Sequence, residues 1–146
     1  MNALNVIQST EQLGFVLIAE GDDIRVKKGK RLPDSLRANI IDYKPQILAT
    51  LRRDKKAKQT GLVICIPGEL YAVSINKNSS IYIDHMENRW EAWRETHYLK
   101  QNAPSNKTIA TGCAFEDVLP KVKQYLEYIS RGRLRNSSGN ESVRFD

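Results

Sequence analysis

Two short runs near the start of the chain set its pattern of hydrophobic and polar positions. Residues 15–20 are rich in β-forming apolar side chains, and residues 24–28 alternate apolar with cationic ones. Gly21, Asp22 and Asp23 stand between the runs, and both residue types tolerate the positive φ of tight turns. The pattern predicts a β-hairpin.

The two faces of this hairpin differ in character. A strand sends alternate side chains to opposite faces, so Phe15, Leu17, Ile24 and Val26 are expected to face the following helices. The outer face, with the adjoining Lys28, then carries Val16, Ile18, Arg25, Lys27 and Lys28. Apolar side chains on a lone hairpin favour a covering partner, which is a second copy, the rest of the chain or an extended peptide. The cations suit an acidic peptide.

Helical spacing flanks the hairpin on both sides. Residues 1–13 contain a short helix, and Pro33 with Asp34 marks the start of another. Pro45 interrupts the second helical stretch, so we predict two helices joined near Tyr43 and Lys44. The apolar stripe consists of Leu36, Ile40, Ile41, Ile47, Leu48 and Leu51.

The remainder of the chain predicts a second, β-rich region. We expect a buried strand at 62–66, strands at 70–75, 81–84 and 108–114, a helix at 87–96 that buries Trp90 and Trp93, and a long helix at 115–129. The fold class is α+β, an αββαα unit followed by a small β-rich α+β domain with a long C-terminal helix. The predicted organisation is a first domain at 1–54, a basic linker at 55–60, a second domain at 61–130 and a flexible tail at 131–146.

The formal charge of +6 is unevenly distributed. Residues 1–60 carry 12 Lys and Arg against 7 Asp and Glu, a balance of +5, whereas residues 61–130 carry 7 against 8, a balance of −1. Candidate nucleic-acid contacts cluster around the linker, and they are Arg52, Arg53, Lys55, Lys56 and Lys58. The alternative interpretation of this run is a solvated helix end.

Candidate chemistry is sparse. Asp84, His85, Glu87 and His97 form the only cluster that suggests a metal-dependent nuclease, and the alternative is a surface histidine at a strand end. We find no nucleophile motif, phosphate-binding loop or C-x-x-C motif, so neither a catalytic residue nor a cofactor or metal is expected. The absence of a signal peptide and of a long apolar run predicts a cytoplasmic protein without a membrane partner.

The first 55 residues or so resemble the TubC-type N-terminal docking domain. The hairpin residues that carry the resemblance are Gly14, Phe15, Leu17, Ala19, Gly21, Asp22, Ile24 and Val26, and the helical ones are Leu32, Leu36, Ile40, Lys44, Ile47, Leu48 and Leu51. The resemblance implies a homodimer that binds a short segment of another protein along the hairpin. Similar domains also open the replication primases of bacterial mobile elements.

The sequence therefore predicts a non-catalytic docking protein whose contact residues lie on the outer hairpin face. Two other hypotheses stay open. One is a basic nucleic-acid-binding accessory protein of a bacterial mobile element or phage, and the other is the small nuclease around His85.

Overall fold

The computed structural model describes residues 2–98 and 103–144, without the side chains of residues 133–144. In these ranges the chain is α+β, as its sequence predicts. The elements are α1 (Ala3–Gln12), β1 (Val16–Glu20), β2 (Asp23–Lys27), a 3₁₀ turn (Gly29–Arg31), α2 (Asp34–Asp42), α3 (Lys44–Gln59), β3 (Val63–Ile66), β4 (Leu70–Asn76), β5 (Ser79–His85), β6 (Trp90–Thr96), β7 (Ser105–Gly112) and α4 (Phe115–Arg144).

The chain divides into two compact units, Met1–Tyr71 and Ala72–Asp146, so the boundary lies within β4. This differs from the predicted division, because α3 continues through the predicted linker at 55–60 as far as Gln59. The charged composition of the linker concealed a small buried position: Ala57 is fully buried, and its carbonyl oxygen accepts the backbone N–H of Leu62 at 2.9 Å.

The first unit packs its hairpin and three helices around one apolar core. Asn2 caps α1 by accepting the backbone N–H of Asn5 at 2.9 Å. The break between α2 and α3 falls at Tyr43, with Pro45 in the first turn of α3, as predicted. The core residues are Val6, Ile7, Leu17, Leu32, Leu36, Ile40 and Ile47.

The second sheet has the strand order β3-β4-β5-β6-β7 in the described part of the chain. Within the second unit, β5, β6 and β7 pair antiparallel, and α4 packs against β6 and β7. Trp90 lies 5.1 Å from Phe115 between ring centroids, in the layer between sheet and helix. The helix also buries Val118, Leu119 and Val122.

The predicted helix at 87–96 is wrong, because Trp90–Thr96 forms strand β6. A spacing of three residues fits a helical stripe, but in a strand it places Trp90 and Trp93 on opposite faces. Trp90 packs on Phe115, whereas Trp93 stacks on Tyr82 at 5.5 Å between ring centroids. Pairing with two neighbouring strands outweighs the local helical pattern.

Two further expectations differ from the structure. The strand predicted as buried at 62–66 is largely exposed, with Val63 at 65% and Ile66 at 40% of their free surface. An apolar run is buried only where other elements cover its side chains, and the run itself does not determine that cover. The tail predicted at 131–146 is helical as far as Arg144.

Candidate docking groove

The hairpin has the register that its alternating side chains predict. Val16 lies opposite Lys27 and Ile18 opposite Arg25, so these four side chains share one face. Leu17 points to the other face and is buried in the core. On the shared face Val16 keeps 49% of its surface exposed, and Ile18 is half-buried. The outer face of the hairpin is therefore both apolar and cationic.

The turn of the hairpin is held by cations of α3. Gly21 has a φ of +59°, which suits the first central position of a two-residue turn. The Arg52 guanidinium donates to the Gly21 carbonyl oxygen at 2.7 Å and to Asp22 Oδ1 at 3.1 Å. Lys44 Nζ donates to Asp23 Oδ1 at 3.0 Å. These exposed contacts contribute little stability because solvent screens them, but they orient the turn on the helix.

A groove of about 510 Å³ lies along the hairpin between β1 and α3. Val16 and Ile18 line it from β1, and Leu51, Lys55 and Lys58 line it from α3. The three α3 residues follow at i, i+4 and i+7, a spacing that keeps them on one helical face. Both lysines are exposed. We call this cleft the hairpin groove.

Two carboxylates, Glu11 and Asp54, also line the hairpin groove. Asp54 is engaged inside the first unit, since its Oδ1 accepts the Tyr71 hydroxyl at 2.6 Å and the Gly68 backbone N–H at 2.8 Å. Tyr71 is fully buried, and its burial together with the hydrogen bond to Asp54 raises the pKa of its hydroxyl well above the ordinary value. The lining therefore balances two lysines, Lys55 and Lys58, against two carboxylates, and the Asp54 carboxylate is the one already engaged within the first unit.

The same contacts fix the middle of α3 to the turn between β3 and β4. Arg53 Nε donates to the Gly68 carbonyl oxygen at 3.3 Å. Gly68 has a φ of +72°, and a Cβ there would lie 2.7 Å from Thr50 Cγ2. Only glycine fits this close approach without displacement of Thr50. Arg53, like Arg52, is thus engaged within the first unit.

A second cavity of about 550 Å³ is also lined by Val63, and it shares four lining residues with the hairpin groove, which are Glu11, Asp54, Lys58 and Ile64. This part of the surface comes from β3, whose exposed apolar side chains were expected to be buried. In the described strand order β3 ends the second sheet, and such a strand presents unpaired backbone donors and acceptors to a partner. The hairpin groove is therefore continuous with an apolar edge strand.

The structure separates the candidate residues into two groups. Val16 and Ile18 meet Lys55 and Lys58 in the groove, although the sequence analysis assigned these lysines to a different surface. Arg25 is paired with Glu20 at 3.2 Å. Arg52 and Arg53 also lie outside the lining and are hydrogen-bonded within the first unit. The remaining candidates are exposed, and they are Lys27, Lys28 and Lys56.

Leu51 lines the hairpin groove, a role that its sequence pattern does not predict. The pattern places Leu51 in the apolar helical stripe and the lysines in a linker after the helix. The spacing of Leu51, Lys55 and Lys58 would predict that they share one helical face. That prediction requires a helix that continues to Gln59, as α3 does.

The candidate nuclease cluster does not assemble. His85 stacks on Trp90 with 4.4 Å between the ring centroids. The Nε2 atom of His97 lies 3.9 Å from Glu95 Oε1. Among the described residues, no three His, Cys, Asp or Glu side chains are close enough together to hold a metal ion. The geometry adds no support for hydrolytic chemistry at His85, and the nuclease hypothesis stays a prediction.

Comparisons with known proteins returned no matching family model, no matching curated protein and no matching solved structure. The resemblance to docking domains therefore stays a prediction from the residue pattern. In the described part of the chain, no helix has both the length and the apolar character that a membrane span requires.

Proposed function

We propose that this chain is a non-catalytic docking protein of the cytoplasm, and that its hairpin groove binds an extended acidic segment of a partner protein. The observation that carries the proposal is the lining of the groove, which brings Val16 and Ile18 of β1 and the exposed Lys55 and Lys58 of α3 to one cleft. The resemblance of the first 55 residues to TubC-type docking domains supports the same function.

Strand addition is the binding mode that this geometry favours. In the described part of the chain, β1 pairs with β2 alone, and the groove follows β1 along its length. A segment laid beside β1 gains main-chain hydrogen bonds at the strand edge, and its alternate side chains enter the groove. Apolar side chains of the segment then cover Val16 and Ile18.

The lysines provide the selectivity. The lining carries as many carboxylates as lysines, but Asp54 accepts hydrogen bonds from Tyr71 and Gly68. The exposed Lys55, Lys58 and Glu11 are therefore the charges open to a partner segment. Acidic side chains on the partner segment complement this balance, whereas basic ones meet like charge. The expected ligand therefore alternates apolar and acidic residues.

A charge-reversal selection tests the proposal. A library of random extended peptides is displayed against the full chain and against the double variant Lys55→Glu, Lys58→Glu. We expect acidic, alternating peptides to be enriched on the native chain and basic ones on the variant. The matched control is Lys121→Glu, Lys123→Glu, a reversal of two exposed lysines on α4 that should leave the selection unchanged. Identical peptides on all three proteins would contradict the proposal.

The homodimer that the sequence pattern predicts is a separate expectation with its own test. If a second copy covers the outer hairpin face, sedimentation equilibrium gives a dimer that Val16→Asp dissociates. Ile41→Asp is the control, because Ile41 is exposed in the same unit and lies outside the hairpin groove. A dimer resistant to Val16→Asp would place the contact elsewhere.

Nucleic-acid binding is the alternative function, and the exposed lysines 55, 56 and 58 at the end of α3 favour it. Arg52 and Arg53 weaken it, since both are hydrogen-bonded within the first unit. Binding to DNA whose affinity falls by about one decade per decade of salt for each phosphate contacted would favour this alternative over docking.

A further inference from the structure

The second unit contains a polar pocket of about 730 Å³. It lies at the end of the sheet where Ser79 of β5 pairs with Thr96 of β6, and Thr96 with Ser105 of β7. We call it the polar pocket, and its lining includes Lys77, Ser79, Arg94, Thr96, Lys107 and Tyr125. Nothing in the docking proposal uses this pocket.

A β-bulge brings two cations together on one face of the sheet. Ala92 pairs with Ala110, but the next pair is Trp93 with Thr108, so Ile109 is an extra residue in β7. With this shift Lys107 lies directly opposite Arg94. Without the extra residue Lys107 would point to the opposite face, since side chains alternate along a strand.

Like charges directly opposite each other on neighbouring strands destabilise a sheet. In the described part of the chain, no acidic side chain forms an ion pair with Arg94, Lys107 or Lys77, and the described lining of the pocket contains no Asp or Glu. The charges of the pocket are thus concentrated and unbalanced. An anion in the pocket would remove this repulsion.

The Arg94 guanidinium is held in one orientation. Its Nε donates to Ser79 Oγ at 2.8 Å, and its Nη1 donates to the Tyr125 hydroxyl at 3.0 Å. Ser79 is buried and shares a further hydrogen bond of 2.7 Å with Thr96 Oγ1. Lys107 Nζ stands 5.8 Å from the centroid of the Tyr125 ring. In the described part of the chain these bonds use two of the five guanidinium N–H groups, which leaves three for a ligand.

We propose that the polar pocket binds a phosphate monoester group. A monoester carries about two negative charges at neutral pH, which matches a site with three cations better than a single carboxylate does. The fixed guanidinium offers the fork geometry that phosphate oxygens accept, and the hydrogen-bonded hydroxyls of Ser79 and Thr96 keep one O–H between them to donate.

The pocket is larger than a phosphate group requires. Its volume of about 730 Å³ lies within the range of sites for organic ligands. Tyr98, half exposed, and Tyr125 also line the pocket and offer aromatic faces for the organic part of the ligand. The ligand is therefore a phosphorylated organic molecule, either free or as the phosphorylated end of a nucleic-acid strand.

The first test is an NMR titration of the full chain with inorganic phosphate at constant ionic strength, with chloride as the reference anion. We expect a saturable shift of the Arg94 Nε–H signal with phosphate and none with chloride. Equal effects of the two anions would overturn the proposal.

A pair of lysine variants identifies the site. Lys107→Met should weaken phosphate binding about tenfold or more, and should raise the thermal midpoint of the phosphate-free protein because it removes a like-charge contact. Lys123→Met is the matched control, since Lys123 is an exposed lysine of the same unit, outside the pocket lining, and its loss should leave binding unchanged within about twofold. Equal phosphate affinities of the two variants would overturn the proposal.

The last arm identifies the source of the phosphate. Adenosine monophosphate is compared with adenosine, and a 5′-phosphorylated oligonucleotide with its 5′-hydroxyl form. Tighter binding of the phosphorylated member in either pair supports the proposal. The pair that shows it identifies the ligand as a free phosphorylated molecule or as the phosphorylated end of a nucleic-acid strand. Equal binding of phosphorylated and unphosphorylated members in both pairs would refute it.

Discussion

The hairpin groove and the polar pocket place positive charge on the surface by two different routes. In the groove, Lys55 and Lys58 lie on one helical face beside exposed apolar side chains. In the pocket, Arg94 and Lys107 are brought together by strand register and a bulge, beside hydroxyl groups. Apolar neighbours favour a peptide with alternating side chains, whereas hydroxyl neighbours favour a compact anion.

The two surfaces also depend on different supporting contacts. The groove is held by polar contacts of Asp54 and Arg53 with the turn at Gly68. The pocket lies beyond an apolar layer in which Trp90 packs on Phe115. The hairpin groove should therefore respond to the loss of hydrogen bonds or to a change in backbone conformation, whereas the polar pocket should respond to a loss of core volume. Single substitutions can test these two kinds of support independently.

The largest effect is expected from Trp90→Ala, which removes a buried ring between the sheet and α4. Large-to-small changes of this kind cost about 3–5 kcal/mol in the free energy of unfolding. Trp93→Ala serves as the control, because Trp93 is half-buried and stacks on Tyr82 on the other face. Denaturant unfolding gives the free energy of unfolding of both variants. An equal decrease for the two would show that the apolar layer under α4 contributes no more stability than the Trp93 face.

A smaller effect is expected from Gly68→Ala in the first unit. The new Cβ meets Thr50 and the backbone must keep a positive φ, so we expect a loss of about 1–3 kcal/mol in the free energy of unfolding. Gly14→Ala isolates the backbone contribution, because Gly14 has a φ of +89° but open space around its Cα. If both alanine variants lose the same stability in thermal unfolding, the close approach to Thr50 contributes nothing.

The smallest effect concerns pH and the Tyr71 hydroxyl. The tyrosines of the unfolded chain lose their protons near pH 10, whereas the raised pKa keeps Tyr71 protonated in the folded state. Above about pH 10 the unfolded state therefore binds fewer protons, and Tyr71 lowers the free energy of unfolding by about 1.4 kcal/mol per pH unit.

Tyr71→Phe should remove this slope from stability measured between about pH 9 and 11. The exposed Tyr128 offers the control Tyr128→Phe, which should retain the slope of the native chain. If Tyr71→Phe leaves the pH dependence of the free energy of unfolding unchanged, the Tyr71 hydroxyl does not keep its proton in the folded protein.

Local patterns predicted part of the fold. The alternation of Val16 with Leu17 gives the correct hairpin faces, and Pro45 marks the break between α2 and α3, because both features depend on neighbouring residues alone. The helix predicted around Trp90 fails, since a spacing of three residues fits two structures and the flanking strands decide between them. The charged run after Leu51 conceals the rest of α3, because neither the burial of Ala57 nor the hydrogen bond of Asp54 with Tyr71 can be read from the run itself.

The sequence by itself determined the α+β class, the register of the hairpin and its apolar, cationic outer face, because alternation and turn chemistry act over a few residues. Only the tertiary structure decided that Lys55 and Lys58 join Val16 and Ile18 in one groove. It also decided that Arg94 and Lys107 meet. The physical reason is that helix length and the position of a bulge depend on packing between distant segments, which no local pattern records.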